Sequence, residues 1–233
     1  MTRHHTNRDM IIRVARSLGT LRDKVAFVGG SVVGLLITDE ASPDVRPTLD
    51  VDVIIEVASI DEYYRFIDKL RSHGFTEDTS EEAPICRLLV SGTKVDVLPT
   101  SEQVIGFSKR WYRSAASCAV LYELEEDLFI KLITAPYLLA TKLESCFGRG
   151  SHDFAASHDM EDIVALLDGR GELVEEIRTS PADVRLFLAE TFRSFMRQEA
   201  FLESLPGHLP PDRASQARLP ILKARIEKIA AII

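Results

Sequence analysis

Two aspartates punctuate an otherwise apolar, branched run at Asp50-Val51-Asp52-Val53-Ile54-Ile55. The branched residues over 51–57 predict a β-strand. A strand sends residues i and i+2 to one face, so Asp50 and Asp52 share a side while Val51 and Val53 point into a core. Two like charges on one face repel, and either solvent or a cation must offset them. The flanking valines and isoleucines describe a largely buried strand, which favours the cation. Magnesium held by one or two carboxylates together with substrate phosphates is a common solution.

A third acid fits the same pattern. Asp96 is a lone carboxylate inside Lys94-Val95-Asp96-Val97-Leu98, a second apolar strand. If the two strands lie side by side, three carboxylates converge, as in two-metal sites that hold a nucleotide and activate an attacking hydroxyl. Asp96 is then also the natural general base; the plainer reading is a strand-edge carboxylate. About twenty residues before Asp50, Gly29-Gly30-Ser31 sits where a short strand (residues 24–28) turns into an apolar segment (32–37) read as a helix. Glycines there let a backbone approach a phosphate closely, and Ser31 adds a hydroxyl donor. Many strand-to-helix turns use glycine without any ligand.

The rest of the chain divides in two. Up to residue 135, helical spacing over 6–18 and 60–73 alternates with strands at 85–90 and 95–98, joined by Ser91-Gly92-Thr93, and a second hairpin at 118–124 and 127–133. From Pro136 onward only helices are expected, at 136–147, 158–168, 181–203 and 213–232. The fold class is α+β: a mixed sheet flanked by helices (1–135), then a helical domain (136–233). The net charge of −8 is uneven, with +4 over residues 1–24 and −9 over 38–82. Such a chain is not a typical general nucleic-acid binder, though a basic stripe could hold nucleic acid locally and the acids could equally hold cations. Three scattered cysteines make no disulfide framework or zinc spacing. No apolar run is long enough for a membrane span and the N-terminus lacks a secretion signal, so a cytoplasmic protein is expected.

Taken in order, these motifs resemble the nucleotidyltransferase fold of the polymerase-beta superfamily. The second half narrows the resemblance. Pro136-Tyr137-Leu138-Leu139-Ala140-Thr141-Lys142-Leu143-Glu144, running on to Arg149, and His158-Asp159-Met160-Glu161-Asp162-Ile163 resemble the lysine-to-arginine and Asp-x-x-Asp motifs of AbiEii/AbiGii-type toxins. Those toxins belong to type IV toxin–antitoxin systems. The resemblance covers roughly residues 24–170 and departs from the family at His158, where relatives carry Arg or Lys, and after Ser31, where several place an arginine.

The resemblance implies transfer of a nucleotide from an NTP to an acceptor hydroxyl, the 3′ end of a tRNA, with a cognate antitoxin as partner. Asp50, Asp52 and Asp96 would bind two magnesium ions, and Gly29, Gly30 and Ser31 would cradle the phosphates. Lys142 and Arg149 would neutralise them, while Asp159 and Asp162 would position the lysine, the base or the acceptor. Lys142 in an apolar helix does need an anionic partner; Asp159 could equally serve the start of its own helix. The basic N-terminal helix and the cluster Lys109-Arg110-Trp111-Tyr112-Arg113 are candidate RNA contacts. An aminoglycoside-like acceptor, better matched to the acidic charge, and a non-catalytic nucleotide-binding module are the alternatives.

Overall fold

The computed structural model describes residues 3–106, 109–148 and 154–233. They form two units. One comprises the residues up to Gly34 with Pro47–Thr134; the other comprises Leu35–Arg46 with Ala135–Ile233. Arg149 lies outside the described residues.

The first unit contains α1 (Arg3–Leu18) and β1 (Val25–Val28), then α2 (Val33–Leu36), at which the chain passes into the second unit. It resumes with β2 (Asp50–Ile55), α3 (Ile60–Ser72), β3 (Thr76–Glu77), β4 (Arg87–Val90) and β5 (Thr93–Pro99). It ends with α4 (Glu102–Ile105), α5 (Tyr112–Ser117), β6 (Val120–Glu125) and β7 (Leu128–Leu132). The strands make one seven-stranded sheet in the order β3-β4-β5-β2-β1-β7-β6. It is mixed: β2 runs parallel to β5 and β1 to β7, and the other pairs are antiparallel. This is the α+β architecture that the patterning predicts. Interior strand β1 is buried at every position, so both faces of the sheet are covered there. Helix α1 packs against β2, β5 and β7, and its Ile11, Val14, Ala15 and Leu18 are buried.

Local chemistry explains the joints. Ser91 and Gly92 both have positive φ, +48° and +73°, as a two-residue hairpin turn requires. Helix α3 starts on Ser59, whose Oγ accepts from the Glu62 N–H at 3.2 Å, while the Glu62 carboxylate accepts from the Ala58 N–H at 2.7 Å. Ser59→Ala should cost about 1 kcal/mol, read as a lower urea midpoint.

The second unit contains α6 (Ala135–Gly148), α7 (His158–Gly169), α8 (Leu173–Thr179), α9 (Ala182–Phe195), α10 (Glu199–Ser204), α11 (Arg213–Gln216) and α12 (Leu219–Ala230). Residues 35–46, which fall in the first domain when the chain is divided at 135, are tied to these helices. Thr38 and Asp39 both donate their N–H to the Gly169 carbonyl at 2.9 Å. A side chain at Gly169 would meet Ile37 at 2.7 Å. Arg218 joins Asp39 (2.5 Å) to buried Asp168 (2.7 Å).

Two expected helices are divided. The 181–203 helix breaks after Phe195 because Phe201 folds back onto Phe195 and Phe154, with ring centroids 4.9 and 5.4 Å apart. The 213–232 helix breaks before Pro220, which occupies the first turn of α12, where its missing N–H costs nothing. No helix among the described residues is long and apolar enough to cross a membrane.

Candidate functional site

Strand pairing in the first unit builds an acidic cluster. In the parallel β2–β5 ladder Asp52 lies in register with Asp96, and Asp50 with Lys94. In-register neighbours point to the same side, so Asp50, Asp52 and Asp96 share one face. The opposite face carries Val51, Val53 and Val95, all fully buried. The sheet thus sets on one face the three carboxylates that the sequence singled out.

It also supplies a group that sequence reasoning missed. Arg87 of β4 lies directly opposite Asp96 in the antiparallel β4–β5 ladder. Its Nε and Nη2 donate to the two Asp96 oxygens at 2.7 and 2.8 Å, and Nη2 also donates to Asp50 at 2.8 Å. A planar guanidinium forked onto a carboxylate is the strongest common form of such a pair. The Asp96 bonds outweigh the cost of burial and raise the guanidinium further above its usual range. Next to it, burial and then the Asp96 charge push the Cys86 thiol up to about 12, so it adds no competing anion.

The glycine turn closes on the same cluster. Gly29 has φ +78° and ψ −165°, a region essentially reserved for glycine. A Cβ there would stand 1.8 Å from Asp52 Oδ2, so the backbone of the turn runs against that carboxylate. Ser31 is 1% exposed, and its Oγ has no hydrogen-bond partner among the described residues. A buried hydroxyl without a partner is uncommon, and a ligand oxygen would satisfy it. The helix expected after Ser31 is shorter than the spacing predicts: Gly30–Val32 is a 3₁₀ turn and α2 has four residues. Donor capacity here therefore rests on Ser31 Oγ and nearby backbone N–H groups more than on a helix dipole.

The approach to β2 is held by Asn7, a buried residue of α1 whose Oδ1 accepts from the Thr48 N–H at 3.0 Å. Trp111 and Tyr112 are buried, with Arg110 stacked over the Trp111 ring at 4.5 Å. These rings belong to the core, which removes them as platforms for stacking bases.

Lys142, Asp159 and Asp162 form a second group, inside the helical unit. Lys142 Nζ lies 3.1 Å from Asp159 Oδ1 and 2.6 Å from Asp162 Oδ2. Asp162 also receives a two-point contact from Arg46, at 2.9 and 3.0 Å. Lys142, Asp159 and Asp162 are 9%, 5% and 2% exposed. The three-residue spacing of the two acids on α7 aims both at one lysine, as expected for one helical face.

Three carboxylates on one face, with the glycine turn against Asp52 and a buried, unpartnered hydroxyl in that turn, suit in chemistry a magnesium ion bridging to phosphates. Yet among the described residues no three acidic, imidazole or thiol groups stand converged as ready ligands. Arg87 instead engages both oxygens of Asp96 and one of Asp50. The donor set fits the metal in chemistry, with an arginine in place as its counter-charge.

No protein-family model and no curated protein matches this sequence. Among solved structures the chain is similar to the crystal structure of JHP933 from Helicobacter pylori. The likeness spans 97% of this chain and 91% of that one, with 11% identity and a TM-score of 0.50. At that identity it supports the α+β architecture alone.

Proposed function

We propose that this chain is a metal-dependent nucleotidyltransferase with the polymerase-beta-like fold, its mixed sheet serving as the catalytic platform. The reading is carried by one observation: strand register sets Asp50, Asp52 and Asp96 on one face, against the Gly29–Ser31 turn. Asp50, Asp52 and Asp96 are the ligands for magnesium, which when bound offsets the triphosphate charge and polarises the α-phosphorus. Gly30 and Ser31 receive the β- and γ-phosphates. The acceptor hydroxyl oxygen bonds to the α-phosphorus as the bond to the β-phosphate oxygen breaks. Pyrophosphate leaves with that electron pair, and the hydroxyl proton passes to Asp96.

The acceptor is taken as the 3′ end of a tRNA, and the physiological role as a type IV toxin restrained by an antitoxin. A small cationic acceptor is the second reading. It is favoured by the net charge of −8 and by the burial of Trp111 and Tyr112, which withdraws those rings as a base-stacking surface. Incubation with magnesium and each of the four labelled NTPs, with total tRNA and an aminoglycoside in parallel, separates the two. Label is expected in tRNA with the intact protein and not with Asp52→Ala. Label only in the aminoglycoside would select the second reading, and activity retained by Asp52→Ala would remove the metal assignment.

A further inference from the structure

The carboxylate cluster does not wait for its cation, because Arg87 is already there. Arg87 meets Asp50 and Asp96, and Lys94 shares their face in register with Asp50; with Asp52, three acids face two bases, so the face keeps a net negative charge and an attraction for a further cation. The acids are partly solvent-accessible: the side chains of Asp50, Asp96 and Arg87 are 32%, 12% and 17% exposed. A divalent ion reaching Asp96 would find both oxygens engaged by Arg87, and Asp50 engaged by the same guanidinium. Displacing an Arg–carboxylate fork into nothing is expensive, since the freed guanidinium loses charge-assisted bonds in a half-buried site. It becomes cheap when another planar oxyanion is offered. Phosphate is such a partner, and arginine suits it geometrically where lysine does not.

Resting on the metal-ligand reading of the carboxylates, we infer that Arg87 is the residue that couples metal binding to nucleotide binding. Without ligand it holds Asp50 and Asp96 together as an internal counter-ion. When magnesium and a triphosphate arrive together, Arg87 exchanges its carboxylate partners for phosphate oxygens and the carboxylates pass to the metal. Metal alone therefore binds weakly, and nucleotide raises its affinity. Linkage makes the effect reciprocal.

Manganese, followed by the loss of its free-ion paramagnetic resonance signal, tests this without any turnover. Four proteins are compared: wild type, Arg87→Gln, Arg87→Lys and Asp52→Asn. Arg87→Gln should bind manganese alone about ten-fold more tightly than wild type. A non-hydrolysable NTP should tighten manganese binding to wild type by about ten-fold, and that gain should shrink to about two-fold in Arg87→Gln. Arg87→Lys keeps the charge and loses the fork, so it should fall between the two. It carries the test if the glutamine variant fails to fold.

Equal manganese affinity in wild type and both Arg87 variants would overturn the coupling. So would a nucleotide gain that survives in Arg87→Gln. If Asp52→Asn binds manganese as well as every other protein does, the carboxylates are not metal ligands. The functional reading then fails together with the inference. If metal and nucleotide bind cooperatively through Arg87 but no label is transferred, only the catalytic reading fails.

Discussion

Asp162→Ala is expected to destabilise the protein by about 3–5 kcal/mol, the usual cost of removing one member of a buried ion cluster. Asp162 is the shared anion of Lys142 and Arg46. Its loss takes both of Arg46's bonds to this acid and the shorter of Lys142's two carboxylate contacts. Lys142 keeps Asp159 at 3.1 Å, and Arg46 keeps Glu161 at 3.6 Å. The second contact is too long to replace a two-point pair. The lysine stem remains buried, so water does not make up for the loss of its shorter carboxylate contact. Urea unfolding followed by circular dichroism reads the change as a lower midpoint at unchanged slope. A cost below about 1 kcal/mol, the range of a solvated pair, would show that the cluster is not structural and that Lys142 is held for another anion.

Gly29→Ala is the second large effect. Two penalties combine. The backbone conformation at φ +78° and ψ −165° costs a side chain roughly 1–3 kcal/mol. The new methyl would also lie 1.8 Å from Asp52 Oδ2 and 2.7 Å from its Cγ, so the carboxylate must move. A total of about 3 kcal/mol or more is expected, together with loss of nucleotide binding. Gly74→Ala is the control: its φ is +85° but nothing lies within 4 Å. It should cost only the backbone part, about 1–2 kcal/mol. The clash is separable by a double-mutant cycle. Gly29→Ala with Asp52→Ala should recover most of the difference between the two glycines in stability and none of the binding. A Gly29→Ala protein as stable as Gly74→Ala would mean that the turn is not pressed against Asp52.

Much of this was legible in the sequence, and the exceptions have identifiable causes. The alternation in Asp50-Val51-Asp52-Val53 was enough to place both acids on one face, because strand periodicity is local. That Asp96 joins them depends on β2 and β5 being neighbours, which no single strand encodes. Arg87 was within reach. Counting back from the two-residue turn Ser91-Gly92 pairs Val90 with Thr93 and, three steps on, Arg87 with Asp96. Arg46 has no such sign in the sequence: its bond to Asp162 spans 116 residues of chain and leaves no local signature. The break after Phe195 is likewise set by the distant ring of Phe154. The break before Pro220 needed only the rule that proline opens helices and does not continue them.

The most direct test of the carboxylate face is a crystal structure of the protein with manganese and a non-hydrolysable NTP, read by anomalous scattering at the metal. The expected result is manganese bonded at about 2.1 Å to Asp50, Asp52 and Asp96, with the phosphates against Ser31. Metal and nucleotide bound elsewhere, with Arg87 still joining Asp50 to Asp96, would contradict the assignment of this face as a nucleotidyltransferase site.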